Sequence, residues 1–224
     1  MVDLFDEWPE AYDRWFETPI GRVIWRYERE LLLDMLHPAA GEHILDAGCG
    51  TGIFTMDWLA AGARVVGLEL SMPMLRGAGR KLEGQPFLMI RGDMRKLPFG
   101  DGVFDKSMSI TALEFIEDGD GAMAELFRVT RPGGRIVVAT LNSLGPWAER
   151  RRKAAGVGHA LFQNIYFRSP EELRALSPFD GDIRSAIHFQ KDHTPEQASV
   201  LEERGRSQNL QTGAFLAGCW ENPE

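Results

Sequence analysis

HILDAGCGTGIFTMDWLAAGARVVGLELS, residues 43–71, changes its hydrophobic period twice. A short apolar run reaches Asp46, and Gly48, Gly50 and Gly52 follow. A helical pattern then closes at Gly62, and a second apolar run ends at another acid, Glu69. Such a change of period reads as strand, helix, strand, the repeating unit of a parallel sheet with right-handed crossovers.

The same alternation extends outward. Residues 20–37 place Ile24, Tyr27, Leu31, Leu32 and Met35 at helical spacing before Pro38. Beyond Glu69, residues 71–82 predict a helix, 87–93 a strand, 103–110 a strand and 120–130 a helix, and a PGG turn leads into a fifth strand at 135–142. The expected class is α/β, a doubly wound sheet with helices on both faces. From Gly145 the rhythm changes. WAERRRKAAG (147–156) and SPEELRAL (169–176) predict helices, the second opened by Ser169, Pro170 and Glu172 as a capping box. DIRSAIHFQ (182–190) and QTGAFLAGCW (211–220) predict two further strands. No Gly/Pro/Ser linker separates this tail, so residues 1–224 are read as one domain. Its parts are an N-terminal segment and helix (1–37), a core (43–142) and a tail (145–224).

Composition narrows the function. Apolar residues make up 44% of the 224 and charged residues 26%, enough for a sizeable core. A net charge of -8 argues against nucleic acid as partner, because sequence-independent binding to phosphates rests on a basic surface. Cys49 and Cys219 are too few for a disulfide scaffold or a zinc cluster, and no metal is expected. No apolar run approaches the roughly 18 residues of a membrane span, and MVDLFDEW lacks the features of a signal peptide. The expectation is a cytoplasmic protein without membrane insertion.

Ligands of open α/β sheets bind beyond the carboxyl ends of the strands, so the glycine turn carries the chemistry. Three glycines expose backbone at a helix N-terminus, and a carboxylate at Glu69 is placed to accept both hydroxyls of a ribose. A triphosphate loop needs Lys and Ser or Thr after its last glycine, where this chain has Ile53 and Phe54. A dinucleotide fingerprint reads G-x-G-x-x-G, whereas G-C-G-T-G brings its third glycine one position early. Asp46 beside the loop would repel a pyrophosphate and suit an ammonium. Adenosine plus an amino-acid amine describes S-adenosylmethionine.

Five ordered stretches carry a family resemblance. ILDAGCGTG (44–52) resembles motif I of class I S-adenosylmethionine-dependent methyltransferases, particularly the type 11 group that includes ubiquinone and menaquinone methyltransferases. VVGLELSMPML, RGDMRKLPFGDGVFD, FDKSMSITALEFIED and RVTRPGGRIVVATLN resemble the motifs that follow it. The resemblance implies a seven-stranded mixed sheet in the order 3-2-1-4-5-7-6, strand 7 antiparallel, with IRSAIHF as strand 6 and AFLAGCW as strand 7. It implies cofactor contacts at Asp46, Gly48, Cys49, Gly50, Gly52 and Leu70, at Glu69 for the ribose, and at Asp93 and Met94 for the adenine. Ile110 and Thr111 would face the methionine part. YDRWF (12–16) resembles the flap of type 11 enzymes, with Tyr12 toward the cofactor; Trp8, Trp15, Phe16, Phe162, Tyr166 and Phe167 are candidates for an apolar lid.

The implied activity is in-line methyl transfer to a small-molecule acceptor, with S-adenosyl-L-homocysteine as product. A protein or nucleic-acid methyltransferase and a non-catalytic binder of the cofactor stay open as alternatives, as does the oligomeric state. Relatives often carry asparagine and histidines after strand 4, where this chain has Ile110, Glu114 and Phe115, so no histidine base transfers. Catalytic candidates are Glu114, His188 and Tyr12. Glu114 reads either as an acid favoured at a helix start or as a group that takes a substrate proton or orients a cationic substrate. The run Arg150, Arg151, Arg152, Lys153 reads as a solvated helical face or as a cap meeting an anionic substrate. His159, His188 and His193 all fall in the tail.

Overall fold

The computed structural model describes residues 9–156 and 165–223. Trp8, His159 and Phe162 lie outside the described residues. The chain enters through α1 (Pro9–Glu17) and α2 (Pro19–Leu36), then runs β1 (His43–Ala47), α3 (Thr55–Ala60), β2 (Arg64–Glu69), α4 (Met72–Lys81), β3 (Phe87–Arg91) and β4 (Phe104–Ile110). A 3-10 turn, Leu113–Phe115, leads to α5 (Gly119–Val129), β5 (Thr130–Leu141) and α6 (Ala148–Gly156). After residue 164 come α7 (Pro170–Ala175), β6 (Asp182–Ala186), α8 (Pro195–Ser207) and β7 (Phe215–Glu221).

The strands form a seven-stranded sheet in the order β3-β2-β1-β4-β5-β7-β6. Strand β7 is antiparallel to β5 and to β6, and the other pairings are parallel. The order implied by the motifs is thus the order observed. Alternate side chains of each central strand enter opposite layers. Ile44, Val65, Met108, Val137 and Phe215 pack with Leu32 and Leu36 of α2, Trp58 of α3 and Ala198 of α8. Their neighbours Leu45, Val66, Ile136, Val138 and Leu216 pack with Ala122 and Leu126 of α5 and Leu173 of α7. Burial on both faces explains why these strands read as continuous apolar runs.

Several boundaries differ from expectation. The aromatic segment before residue 20 is a helix of its own. Thr18 ends it by donating its hydroxyl to the Trp15 carbonyl (2.8 Å) and opens α2 by accepting from the Gly21 amide (3.1 Å). Helix α3 begins only at Thr55, because the positive φ of Gly48, Gly50 and Gly52 holds the preceding loop out of helix. Strand β5 begins at Thr130, with the PGG stretch as an irregularity opposite Phe104 and Lys106 rather than a turn before the strand. The capping box at Ser169 and Glu172 is present as read, and Thr194 with Gln197 makes a second.

Topology fixes where a ligand lies. Strand β1 sits between β2 and β4, and the connections leave it toward opposite edges, so the crevice at the carboxyl ends of β1 and β4 is the switch point. Leu45, at the middle of β1, is fully buried. Leu45→Ala should cost about 2–5 kcal/mol through lost burial and the cavity left behind. Urea unfolding should show a lower midpoint with unchanged slope; an unchanged midpoint would contradict the central position of β1.

Candidate active site

At the switch point a cavity of about 300 Å³ opens beyond β1, β2 and β4. Tyr12, Asp46, Gly48, Cys49, Gly50, Glu69, Leu70, Asp93, Met94, Ile110 and Thr111 all line it. The structure therefore gathers residues from five separate stretches of sequence. Gly52 is different: it faces Leu82 and Ala78, where a Cβ would stand 2.9 Å from Leu82 Cδ1, so its role is close packing of α4.

The glycine loop does not offer bare amides. Gly48 and Cys49 donate theirs to the Leu68 carbonyl (2.7 and 3.1 Å), Gly50 to a Glu69 carboxylate oxygen (3.0 Å), and Gly52 to the Cys49 carbonyl (2.9 Å). What the loop presents is main chain without side chains. Gly50, at φ +54°, has nothing within 4 Å of where a Cβ would be, whereas a Cβ on Gly48 would strike Ala112 at 2.4 Å. The open space before Gly50 suits a flat organic group, and four engaged amides do not suit a phosphate.

The acids around this space carry the electrostatics. Asp46 is 2% exposed and accepts the Thr55 hydroxyl at 2.7 Å. Burial, reinforced by the Glu69 charge, pushes its ionisation up to about 7. Its side-chain hydrogen-bond partner among the described residues is a neutral hydroxyl, and Arg95, the basic residue on the lining, is spent on Asp93, so a ligand ammonium would suit Asp46. Glu69 is held by the Gly50 amide and the Ser71 amide (2.8 Å), which fixes its carboxylate at the end of β2. Asp93 is gripped by Arg95, whose Nε and Nη2 reach its oxygens at 3.0 and 2.6 Å and whose amide donates at 2.9 Å. That hydrogen bonding holds the Asp93 carboxyl below its usual range. Burial, with the charges of Asp46 and Glu69, raises the Cys49 thiol well above its ordinary value, which keeps it a small neutral side chain.

Helix α1 covers the cavity through three attachments. Asp13 accepts from Thr51 of the glycine loop (2.6 Å) and from Lys81 of α4 (2.8 Å). Phe16 meets Phe54 edge-on with ring centroids 6.0 Å apart. The Tyr12 and Thr111 hydroxyls are hydrogen-bond partners. Burial raises the ionisation of Tyr12, so it stays a neutral hydroxyl. Thr111 has φ +48°, a strained setting for a β-branched residue and one that concentrates at functional sites. Of the other lid candidates, Trp15 stands edge-on to Trp147, Phe167 lies under Arg152, and Tyr166 donates its amide to the Glu114 carbonyl.

Glu114 lies just behind the lining, 1% exposed, accepting the Thr140 hydroxyl at 3.2 Å. Burial raises its carboxyl to about 7, against the lowering pull of its own backbone, Arg151, Thr140 and Arg168. The structure does not bring His188 to the cavity lining. Its Nδ1 meets Glu202 at 3.0 Å, and its Nε2 meets the Leu210 carbonyl at 3.1 Å and Ser185 Oγ at 3.3 Å. Ser185, His188 and Glu202 stand in nucleophile, base, acid order, but Ser185 Oγ is already engaged by the Leu210 carbonyl and the Gly213 amide. The set clamps the terminal hairpin. His193 accepts the Gln190 amide within its own turn.

Glu28 escaped the sequence reading, which leaves Arg151 between a solvated face and a substrate cap. Glu28 is 8% exposed, and Arg151 is partly buried with its guanidinium over the Trp147 ring at 5.1 Å. The signal for Glu28 was its position, four residues from both Ile24 and Leu32 on the apolar stripe of α2. Burial raises its carboxyl to about 8. The folded chain therefore binds more protons than the unfolded chain between the ordinary carboxylate range and about pH 8, and stability falls as pH rises across that window. Glu28→Gln removes this proton uptake. In ligand-free protein the variant should gain on the parent, by on the order of 1–3 kcal/mol, between pH 5 and pH 8.5 in urea unfolding. A stability difference independent of pH would show that Glu28 is not buried as an acid.

Residues 45–138 match a family model described as a methyltransferase domain, type 11. The malonyl-[acyl-carrier protein] O-methyltransferase of Serratia marcescens is 41% identical over 114 residues, 51% of this chain and 43% of that protein. The demethylmenaquinone methyltransferase of Streptomyces avermitilis is 37% identical over 154 residues, 67% of this chain and 64% of that protein. The chain thus spans about half the length of the curated relatives it matches. Among solved structures, a S-adenosylmethionine-dependent methyltransferase of Thermotoga maritima, described as a possible histamine N-methyltransferase, shares the fold with a TM-score of 0.75. Its sequence is 20% identical, and the match covers 98% of each chain. The core of the chain, residues 45–138, is a type 11 methyltransferase domain on the fold of the S-adenosylmethionine-dependent methyltransferases.

Proposed function

We propose that the protein transfers a methyl group from S-adenosylmethionine to a small-molecule acceptor. The observation that carries this reading is the spacing of acids around bare backbone. Asp46 is buried against a neutral hydroxyl, Glu69 is fixed by two amides at the end of β2, and Gly50 leaves open space between them. An ammonium at Asp46 and a ribose at Glu69 satisfy both acids at once, and the Asp93–Met94 turn then meets the adenine. The bound cofactor supplies a methyl group already activated on a sulfonium sulfur, so the chain's own task is orientation and exclusion of water. Tyr12, Phe16 and Phe54 close the cavity under α1, while Ile110 and strained Thr111 form the wall where the methyl group would point. No described helix is long and apolar enough to cross a membrane.

The named relatives act on different acceptors, a malonyl group on a carrier protein and demethylmenaquinone, while sharing the core. Acceptor choice therefore belongs to elements outside it, here α1, α2 and α6. Calorimetric titration should show S-adenosylhomocysteine binding and no heat from NAD. Glu69→Ala should weaken S-adenosylhomocysteine by at least about 10- to 150-fold, the value of one charge-assisted hydrogen bond to a ribose hydroxyl. Binding of NAD in preference, or full affinity in the variant, would overturn the assignment of the cavity.

A further inference from the structure

The cavity lining has one basic side chain, Arg95, and Asp93 takes it up. Uncommitted cations stand beside the cavity instead. Over the whole chain acids outnumber bases by 33 to 25, yet residues 150–170 carry Arg150, Arg151, Arg152, Lys153 and Arg168 and not one Asp or Glu. Lys153 is paired with Glu149 at 2.7 Å, and Arg168 donates its guanidinium to the carbonyls of Leu113, Tyr166 and Ile116. Among the described residues Arg150, Arg151, Arg152 and Lys191 make no ion pair.

Three of these cations rest on aromatic faces. Lys191 Nζ stands 4.4 Å from the ring centre of Trp15, the Arg151 guanidinium 5.1 Å from that of Trp147, and the Arg152 guanidinium 5.4 Å from that of Phe167. Trp15 and Trp147 meet edge-on at 6.5 Å, which joins the Lys191 and Arg151 platforms, and Arg152 is the next residue of α6. The joint is tied by Trp147 Nε1, which donates to the Phe189 carbonyl at 2.7 Å, and by Gln190 Nε2, which donates to the Pro146 carbonyl at 2.9 Å. Stacking orients a guanidinium plane and leaves its N–H edge free for a carboxylate or phosphate. Arg152 spends only one long contact, 3.4 Å, on the Ser143 carbonyl.

Both ends of this patch adjoin the cavity wall. Trp15 follows the lining residue Tyr12 by three positions on α1, so the two are neighbours on the helix surface. Phe167 lies between Tyr166, whose amide donates to the Glu114 carbonyl at 2.8 Å, and Arg168, which holds the Leu113 and Ile116 carbonyls. Phe115 and Ile116 of that same turn line the cavity.

We propose that Lys191, Arg151 and Arg152 form an anchor for an anionic group on the methyl acceptor, a phosphate or a carboxylate, set apart from the atom that is methylated. The inference rests on the methyl-transfer reading of the cavity. Burial, then the charges of Arg150 and Arg151, holds the Lys191 ammonium below its usual range, the mark of a patch short of negative charge. Asp192, next to Lys191 in the chain, is exposed and makes no ion pair among the described residues. The buried acids Glu114 and Glu28 act on Arg151, so Arg152 and Lys191 supply the uncompensated charge. A net charge of -8 over the rest of the molecule repels a polyanion such as nucleic acid, whereas one anionic group fits a patch of this size.

The test uses methyl-labelled S-adenosylmethionine and the low-mass pool of the producing cells, divided into fractions retained on anion exchanger, retained on cation exchanger, and unretained. Label should enter the anion-retained fraction, because the anchored group keeps its charge while the methyl group goes elsewhere. Alkaline phosphatase then tells the two anions apart: a labelled product that loses its retention carries a phosphate, and one that keeps it carries a carboxylate. Arg152→Gln and Lys191→Gln should each raise the half-saturating concentration of that fraction at least about tenfold, the worth of one charge-assisted hydrogen bond. Their kcat should stay within threefold of the parent and their S-adenosylhomocysteine affinity within twofold, which also shows that both are folded. Lys153→Gln, which removes a charge already paired, should leave half-saturation unchanged. Label in the cation-retained or unretained fraction, or parental half-saturation in both variants, overturns the anchor and leaves the transferase standing. S-adenosylhomocysteine binding without label in any low-mass fraction overturns both readings.

Discussion

A single buried carboxylate sets the terms for the site. Asp46 stands near the end of β1 in the middle of the sheet, almost without solvent, and its side-chain hydrogen-bond donor among the described residues is a neutral hydroxyl. Burying such a group costs free energy unless something positive meets it, so the position makes sense only as half of a pair. The rest of the architecture keeps that half-pair in place. Strands β2 and β4 flank β1 through parallel ladders, Thr55 at the start of α3 holds the carboxylate, and the glycine loop passes overhead with its amides tied to β2. The loop is rigid because its donors are satisfied within the protein, and it is approachable because it has no side chains. Those two properties are usually in tension, and the positive-φ glycines resolve it.

The sheet and the cofactor half of the site were legible because their constraints are local. Strands buried on both faces must be apolar throughout, a tight strand-to-helix turn needs glycine, and an acid at a strand's carboxyl end needs a ligand; each leaves a mark in one short window. Eleven of the twelve residues taken from the motifs stand on the cavity, and the twelfth, Gly52, supports it from behind. The order of β6 and β7 came from the family resemblance, because the period of a strand does not say which neighbour it pairs with. His188 misled for a related reason: a histidine's partners, here Glu202 and Leu210, are set by tertiary contacts invisible in a window.

The buried charges outside the cavity lining were less legible. Glu114 falls within a family motif, whereas Glu28 and Arg151 come from α2 and α6, outside the motifs. Arg151 sits in a run of four basic residues whose average character is solvated, yet its helix turns this one inward, over the Trp147 ring at 5.1 Å. Glu28 was hidden by the opposite effect, since a window rich in Leu and Ile reads as core whatever acid it contains. An acid on an apolar stripe deserves to be weighed as a buried charge first, because surface acids have no reason to keep helical register with leucines.

The attachment of α1 also bears on how the protein is organised. Asp13 reaches the glycine loop and α4, while Tyr12, one helical turn before Phe16, reaches Thr111. One short helix thus ties the glycine loop to the cavity wall at the end of β4. A ligand ammonium at Asp46 would meet the carboxylate at the loop's end of the cavity. Tyr12, Ile110 and Thr111 put hydroxyls and aliphatic groups on the wall, while Glu114 stays buried behind it. A wall of that kind adds no competing acid beside Asp46, whose positive partner then has to come from the ligand.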